Sequence, residues 1–476
     1  MSFGSTIDRA TTLLTDFERL RATSRRDPDV TLKARQDRLR RLLALVNDHA
    51  AAFEDAISTD FGHRSKHETR LAEAMVVEVS IKHALRHLRA WMRPKRVRTE
   101  LPFIPGKNRL LSQALGVVGV ISPWNYPLQL TLAPATAALA AGNLVMLKPS
   151  ELVPHFSSLL ADVVPRHFRE NEMTVTIGGA DIASAFSNLP FDHLIFTGST
   201  EVGRTVAATA ARNLTPVTLE LGGKSPAIID PSANIAVAAD RIAYGKLLNA
   251  GQTCVAPDYV LCAPERVGAF VAAFKASVLR LFGDIPSNPD YTSIVSDRHF
   301  RRLSELLADA MGKGAHVVQL VADPSLWKSL RKFPPCLVLD TAPNMRVRKE
   351  EIFGPILPII AVPDNAAAIR HVNSHDRPLA LYWFGADRVA RDLVLEKTLS
   401  GGVTINDCLL HLAQENQPFG GVGASGTGAY HGEWGFRNFS KEKPVYFRSK
   451  LSALGLSRPP YGPGFDTLLK TLRRFT

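Results

Sequence analysis

Residues 193–219 read HLIFTGSTEVGRTVAATAARNLTPVTL, and this stretch decides the fold. The apolar run 193–196 is too short for a helix and ends in a glycine turn, so it reads as a buried strand. A helix is expected after Thr200, and a second strand over 216–219. The same rhythm appears on either side. Upstream, 115–121 (LGVVGVI) and 144–148 (LVMLK) read as strands, 154–168 as a helix and 174–177 as another strand. Strands alternating with helices imply a parallel sheet covered on both faces. After Gly222 a second α/β region is expected, with helices over 236–248 and 267–282 and strands over 259–262, 336–339 and 356–360.

The flanks differ. Residues 1–92 place Leu39, Leu42, Leu43, Val46, Ala50 and Phe53 at helical spacing. Asp8 and Thr31 suit helix starts, Gly62 a helix end, and Pro94 breaks the pattern. Over 95–122, Pro102, Pro105 and Gly106 punctuate short extended pieces, and the Pro/Gly-rich tail beyond Tyr446 reads as an extended arm. No internal repeat or low-complexity tract is visible.

Bulk composition narrows the class. A chain of 476 residues with 45% hydrophobic and 21% charged content has room for two or three domains and a large core, which argues against a disordered or fibrous protein. The segment 130–147 is almost free of charge, but Pro134, Gly142 and Asn143 split it into helix, turn and strand, so no membrane span is expected. The first residues lack the basic and apolar regions of a secretory signal. Cys254, Cys262, Cys336 and Cys408 show no metal-ligand spacing; a reducing, cytoplasmic setting and no metal are expected. The net charge of +12 gathers at 19–26, 38–41 and 93–98. It can attract anions such as nucleotides, or simply be solvated helix faces; without interleaved aromatics it does not indicate nucleic-acid binding.

Five segments carry chemistry. Gly251-Gln252-Thr253-Cys254 offers a thiol, which attacks carbonyl carbon as a thiolate and is acidified by nearby helix N-terminal amides; an inert buried cysteine reads the same way. Glu220, followed by Gly222-Gly223 at a strand-to-turn junction, suits a general base or a plain strand-end charge. Pro123-Trp124-Asn125-Tyr126-Pro127 stiffens a loop around an amide N–H donor, as an oxyanion site requires, or is a turn with packed aromatics. Gly198-Ser199 opens a helix and can present amides to phosphate; the segment misses GxGxxG, and Arg204 stands where a P-loop needs Lys. Lys148-Pro149-Ser150-Glu151 follows a strand, where open parallel sheets bind ligands; Ser150 as a helix cap is the alternative.

Together and in this order, these segments resemble the aldehyde dehydrogenase superfamily over about residues 30–450. Glu350-Glu351-Ile352-Phe353-Gly354-Pro355 and Pro418-Phe419-Gly420-Gly421-Val422-Gly423 extend the match. Ala256-Pro257-Asp258-Tyr259 and Pro459-Pro460-Tyr461 resemble the class 3 branch. Pro190-Phe191-Asp192-His193-Leu194 and Asn249-Ala250-Gly251 are most similar to bacterial coniferyl aldehyde dehydrogenases.

The resemblance implies an α/β fold with a Rossmann-like NAD(P)-binding domain (1–97 and 114–220), a catalytic domain (221–437), an oligomerisation β-arm (98–113 and 438–450) and a C-terminal extension (451–476). It implies oxidation of an aldehyde to a carboxylic acid through a thioester on Cys254. Asn125 and the Cys254 amide would hold the oxyanion, and Glu220 would activate water. NAD, with NADP also open, would lie against Trp124, Lys148, Glu151, Gly198, Ser199, Val202, Glu351 and Phe353. Glu151 beside a ribose 2′-OH favours NAD. Trp124, Tyr126, Leu128 and His411 are candidates for the aldehyde tunnel. The implied substrate is coniferyl aldehyde, giving ferulate, with medium-chain aliphatic or other aromatic aldehydes as alternatives. A homodimer is expected. A CoA-acylating enzyme would have no use for Glu220, and a catalytically retired binding protein would not need the full set.

Overall fold

The computed structural model describes residues 6–320, 328–451 and 458–475. The remaining positions, which fall within the expected first domain, catalytic domain and C-terminal extension, lie outside the described residues.

Three sheets organise the chain. The first runs in the spatial order 426–427, 217–221, 193–198, 117–121, 144–148, 173–175. All of its pairings are parallel except that of Gly426–Thr427 with Val217–Leu221. Strand order therefore reverses between Val117–Ile121 and His193–Gly198. Side chains alternate across this sheet, so Val117, Ile121, Leu144 and Leu194 enter one core and Val118, Val120, Val145 and Ile195 the other. Helices cover both faces, with Leu13 and Phe17 of Thr6–Arg26 on the first and the wholly buried helix Pro127–Ala141 on the second. A sheet buried on both sides explains the unbroken apolar runs in the sequence.

The second sheet has seven strands, in the order 316–319, 336–339, 356–361, 259–262, 226–229, 380–384, 402–405, all parallel but the first pair. The third, antiparallel, joins Lys95–Val97, Lys107–Ala114 and Ser440–Phe447. The largest core runs continuously from the helices of the first sheet into strands of the second, so the two α/β units share one interior.

Local signals act as their chemistry dictates. Thr31 caps Leu32–Asp48 by accepting from the Ala34 N–H, and Gly62 ends Ala50–Phe61 in the left-handed conformation. Gly142 does the same for Pro127–Ala141, leaving Leu144–Lys148 as a strand; among the described residues no helix is long and apolar enough to cross a membrane.

Several expectations need correction. Asp8 lies inside Thr6–Arg26, not at its start. The strand expected over 216–219 runs from Val217 to Leu221, so Glu220 is a strand residue whose backbone pairs with Thr197 and Gly426. The tail is not simply extended: Pro463–Phe475 is a helix, with Phe465, Leu468, Leu469 and Leu472 half-buried on one face. Leucines at helical spacing outweigh the glycines and prolines that precede them.

Candidate active site

The reversal of strand order in the first sheet opens a crevice at the carboxyl ends of its strands, where doubly wound sheets bind ligands. Two segments leave the strands there. One is the loop 122–126 after Ile121, and the other is Gly198-Ser199, which leads into the helix Thr200–Ala211. Ser199 caps that helix by accepting from the Val202 N–H.

A cavity of about 260 Å³ occupies this crevice. It brings together Trp124, Asn125, Gly198, Ser199, Glu220, Cys254, Glu351 and Phe353 from the expected set. Lys148, Glu151 and Val202 do not line it. Lys148 ends the strand beside Val117–Ile121, its ammonium donating to the Pro149 carbonyl (2.8 Å), while Glu151 and Val202 are exposed. Thr197, beside the glycine turn, also lines the cavity, as do His299 and Arg302, which have no sequence signal of their own. Arg302 donates to the carbonyls of Glu351 (3.1 Å) and Ile352, which fixes the segment carrying Glu351 and Phe353. Trp124 meets His299 and Phe353 edge-on, with centroids 4.9 and 5.4 Å apart, forming an aromatic wall.

A second cavity, of about 400 Å³, reaches Cys254 from the other side. Its walls are mostly apolar and include Leu71, Met75, Tyr126, Leu130, Leu410 and Phe419. Of the candidates for the aldehyde tunnel, Tyr126 lines this second cavity, whereas Trp124 lines the crevice. Leu128 is fully buried in the core. His411 stands behind the tunnel wall, its Nδ1 bonded to Thr404 Oγ1 (2.8 Å). Cys408, which had no role from sequence, lines the tunnel.

The loops that carry the reactive groups are held by buried charges. Arg64 Nη1 donates to Glu73 Oε1 (2.7 Å) and to the Asn125 carbonyl (3.0 Å). Glu73 Oε2 accepts from the first amides of helix Pro127–Ala141, Leu128 (2.7 Å) and Gln129 (3.2 Å). Asn249 Nδ2 donates to the Asn125 carbonyl (3.0 Å) and the Gln252 carbonyl (3.2 Å), and Glu68 Oε1 accepts from the Asn249 N–H (2.7 Å). Asn249, Ala250 and Gly251 all have positive φ (52°, 51° and 75°), so the chain reaches the cysteine through three left-handed residues. Two of them carry side chains, and such strain persists only where the surroundings impose it. Gly251 is required, because a Cβ there would collide with the Gly354 carbonyl.

Cys254 thus sits in an irregular turn closed by the Ala256 N–H donating to the Thr253 carbonyl (3.0 Å), not at a helix N-terminus. This corrects the expected acidification. Burial, with Glu351 and Glu220 near, pushes the thiol up to about 12, although the amides of Cys254 and Val255 oppose the shift. Burial also holds Glu220 well above the usual carboxylate range, and neither of its oxygens has a hydrogen-bond partner among the described residues. Glu351 is pushed up to about 7 by burial and by Asp258, against the Gly223 N–H. Asn125 Nδ2 donates to the Gln252 carbonyl (3.1 Å), leaving its second N–H for another acceptor. The site therefore offers a thiol, a carboxyl without a partner among the described residues and amide donors around one cavity, the parts needed for acyl transfer through sulfur.

The chain belongs to the aldehyde dehydrogenase family, which it matches over residues 18–445. It is 44% identical to the coniferyl aldehyde dehydrogenase of a Pseudomonas species, across 96% of this chain and 95% of that one. It is 38% identical to the dimeric NADP-preferring aldehyde dehydrogenase of Rattus norvegicus, across 89% and 91%. The substrate-bound state of AldH from Staphylococcus aureus superimposes with a TM-score of 0.91 at 36% identity, covering 97% of this chain and 99% of that one.

Proposed function

We propose that the protein oxidises coniferyl aldehyde to ferulate, with NAD as hydride acceptor and NADP as an alternative. The observation carrying this reading is that Cys254 alone of the three catalytic candidates borders both cavities, with Glu220 and Asn125 beside it in the crevice. The crevice suits a dinucleotide. Gly198-Ser199 stands at a helix N-terminus suited to a pyrophosphate, and Gly198 has no room for a Cβ against the Phe196 ring. Gly222 likewise leaves space that the Glu351 carboxylate fills. Glu351 and Phe353 would hold the nicotinamide half, with Trp124 as its aromatic wall; Lys148, Glu151 and Val202 would hold the adenosine half. When bound there, the dinucleotide supplies the hydride acceptor.

Cys254 loses its proton to solvent, and its thiolate sulfur attacks the aldehyde carbon. Asn125 Nδ2 and the Cys254 amide stabilise the oxyanion, which drives hydride departure as it collapses to the thioester. Glu220, once ionised, takes a proton from water, and the resulting hydroxide cleaves the thioester to free acid and thiol. A relative named for coniferyl aldehyde and a mostly apolar cavity of about 400 Å³, with room for an aromatic aldehyde, support the substrate.

The domain division at 1–97 with 114–220, 221–437, and 98–113 with 438–450 belongs to this reading. So does a homodimer in which the free edges of the third sheet are covered. The test is NADH absorbance with coniferyl, medium-chain aliphatic and other aromatic aldehydes, with and without CoA. We expect the highest kcat/KM for coniferyl aldehyde, a lower KM for NAD than for NADP, and free acid released without CoA. Turnover confined to aliphatic aldehydes, or dependent on CoA, overturns the reading.

A further inference from the structure

One tunnel residue is not explained by apolar walls. His431 lines the cavity and is only 2% exposed. Its ring stacks on Phe419 (centroids 5.1 Å apart, 25° between planes) and meets Tyr430 edge-on at 4.7 Å, so its orientation is fixed. Neither Nδ1 nor Nε2 has a hydrogen-bond partner among the described residues. By contrast, buried His193 places Nε2 2.8 Å from Thr218 Oγ1. Buried polar groups are nearly always bonded, and leaving one bare is costly. A ring with both nitrogens bare, in the cavity that receives substrate, is complementary to something the substrate carries.

The chemistry of that complement can be narrowed. Burial holds His431 down to about 4, so at working pH the ring is neutral, with one N–H donor and one lone-pair acceptor. A neutral ring among mostly apolar walls supplies no opposite charge to offset the burial of a carboxylate or an ammonium group. The charged residues lining the tunnel, Arg241 and Asp407, already face each other at 3.8 Å. A hydroxyl, itself donor and acceptor, satisfies either ring nitrogen.

We propose that His431 is a specificity-determining residue that hydrogen-bonds a hydroxyl on the tail of the aldehyde, so that the enzyme selects hydroxylated aryl-propenals. This rests on the function proposed above. A site built around a substrate hydroxyl rejects the analogue lacking it, because the site's own polar group is then left bare.

The test compares kcat/KM for 4-hydroxycinnamaldehyde and cinnamaldehyde in the wild type, H431F and H431Q. H431F keeps an aromatic ring for Phe419 to stack on but has no nitrogen; H431Q restores a donor and an acceptor. The wild type is expected to prefer the hydroxylated aldehyde about ten- to a hundredfold, as leaving one buried neutral group unbonded implies. In H431F the ratio should fall to near one, and H431Q should regain part of it. If H431F does not fold, H431L gives the same reading. A wild-type preference that survives in H431F, or no wild-type preference between the two, overturns the role of His431 alone. A wild type inactive on both aldehydes but active on aliphatic ones overturns the substrate reading and this inference with it.

Discussion

At the scale of single residues, the site is a set of acids kept protonated by burial. Cys254 is pushed up to about 12 and Glu220 well above the carboxylate range. Both must lose protons to act, so kcat/KM is expected to rise with pH into the alkaline range, and a bell centred on neutral pH would contradict this. Cys254→Ala should lose at least about a thousandfold in kcat. Glu220→Gln should lose about a hundredfold or more, with an initial burst of NADH as the thioester accumulates; rapid-mixing absorbance checks both. Glu351 bears on stability. Its folded value of about 7 lies above the 4.5 of an ordinary glutamate, so its contribution is full below about pH 4.5 and is lost as pH rises through about 7. The melting-temperature advantage of Glu351→Gln over wild type should therefore widen between about pH 4.5 and pH 8. Cys254, Glu220 and Asn125 could be named as candidates from the sequence because their motifs, taken in order, resemble a known family, whereas each motif alone left a second reading open. His299, Arg302 and His431 could not, because what marks them is what they face across the fold.

At the scale of elements, the reactive loops depend on a buried network that spans three distant stretches of chain. Arg64 and Glu73 hold the loop bearing Asn125, while Glu68 and Asn249 hold the strained approach to Cys254. Asn249→Ala removes two N–H bonds and leaves a residue that tolerates positive φ less well. It should lower kcat about ten- to a hundredfold through misplacement of Cys254 and Asn125, with KM for the dinucleotide little changed. Equal loss in both constants would argue for general unfolding. The five parallel strands of the first sheet could be read from apolar runs and glycine turns, as could Tyr259–Cys262, Cys336–Leu339 and most of Ile356–Ala361 in the second, but not its other four strands. The π-turn Arg70–Ala74, which carries Glu73, could not, since its sequence is that of an ordinary helix. Helix Pro463–Phe475 was missed for a different reason: the proline and glycine before it hid its leucine spacing.

At the scale of the whole molecule, among the described residues the third sheet presents unpaired strand edges, and Gly402–Ile405 ends the second sheet in the same way. Edges of this kind invite pairing with another chain. Light scattering should give twice the 52.0 kDa chain mass, and a monomeric mass would remove the proposed assembly. The sequence could suggest the strands of the arm but not which edges stay open, because that follows from the strand order in space. Under the proposed function, the two cavities that border Cys254 set the traffic through the enzyme. With one doorway for the nucleotide and another for the organic acid, neither visitor must step aside for the other. An inert acid lodged in the greasy corridor should therefore leave nucleotide affinity untouched while it blocks turnover.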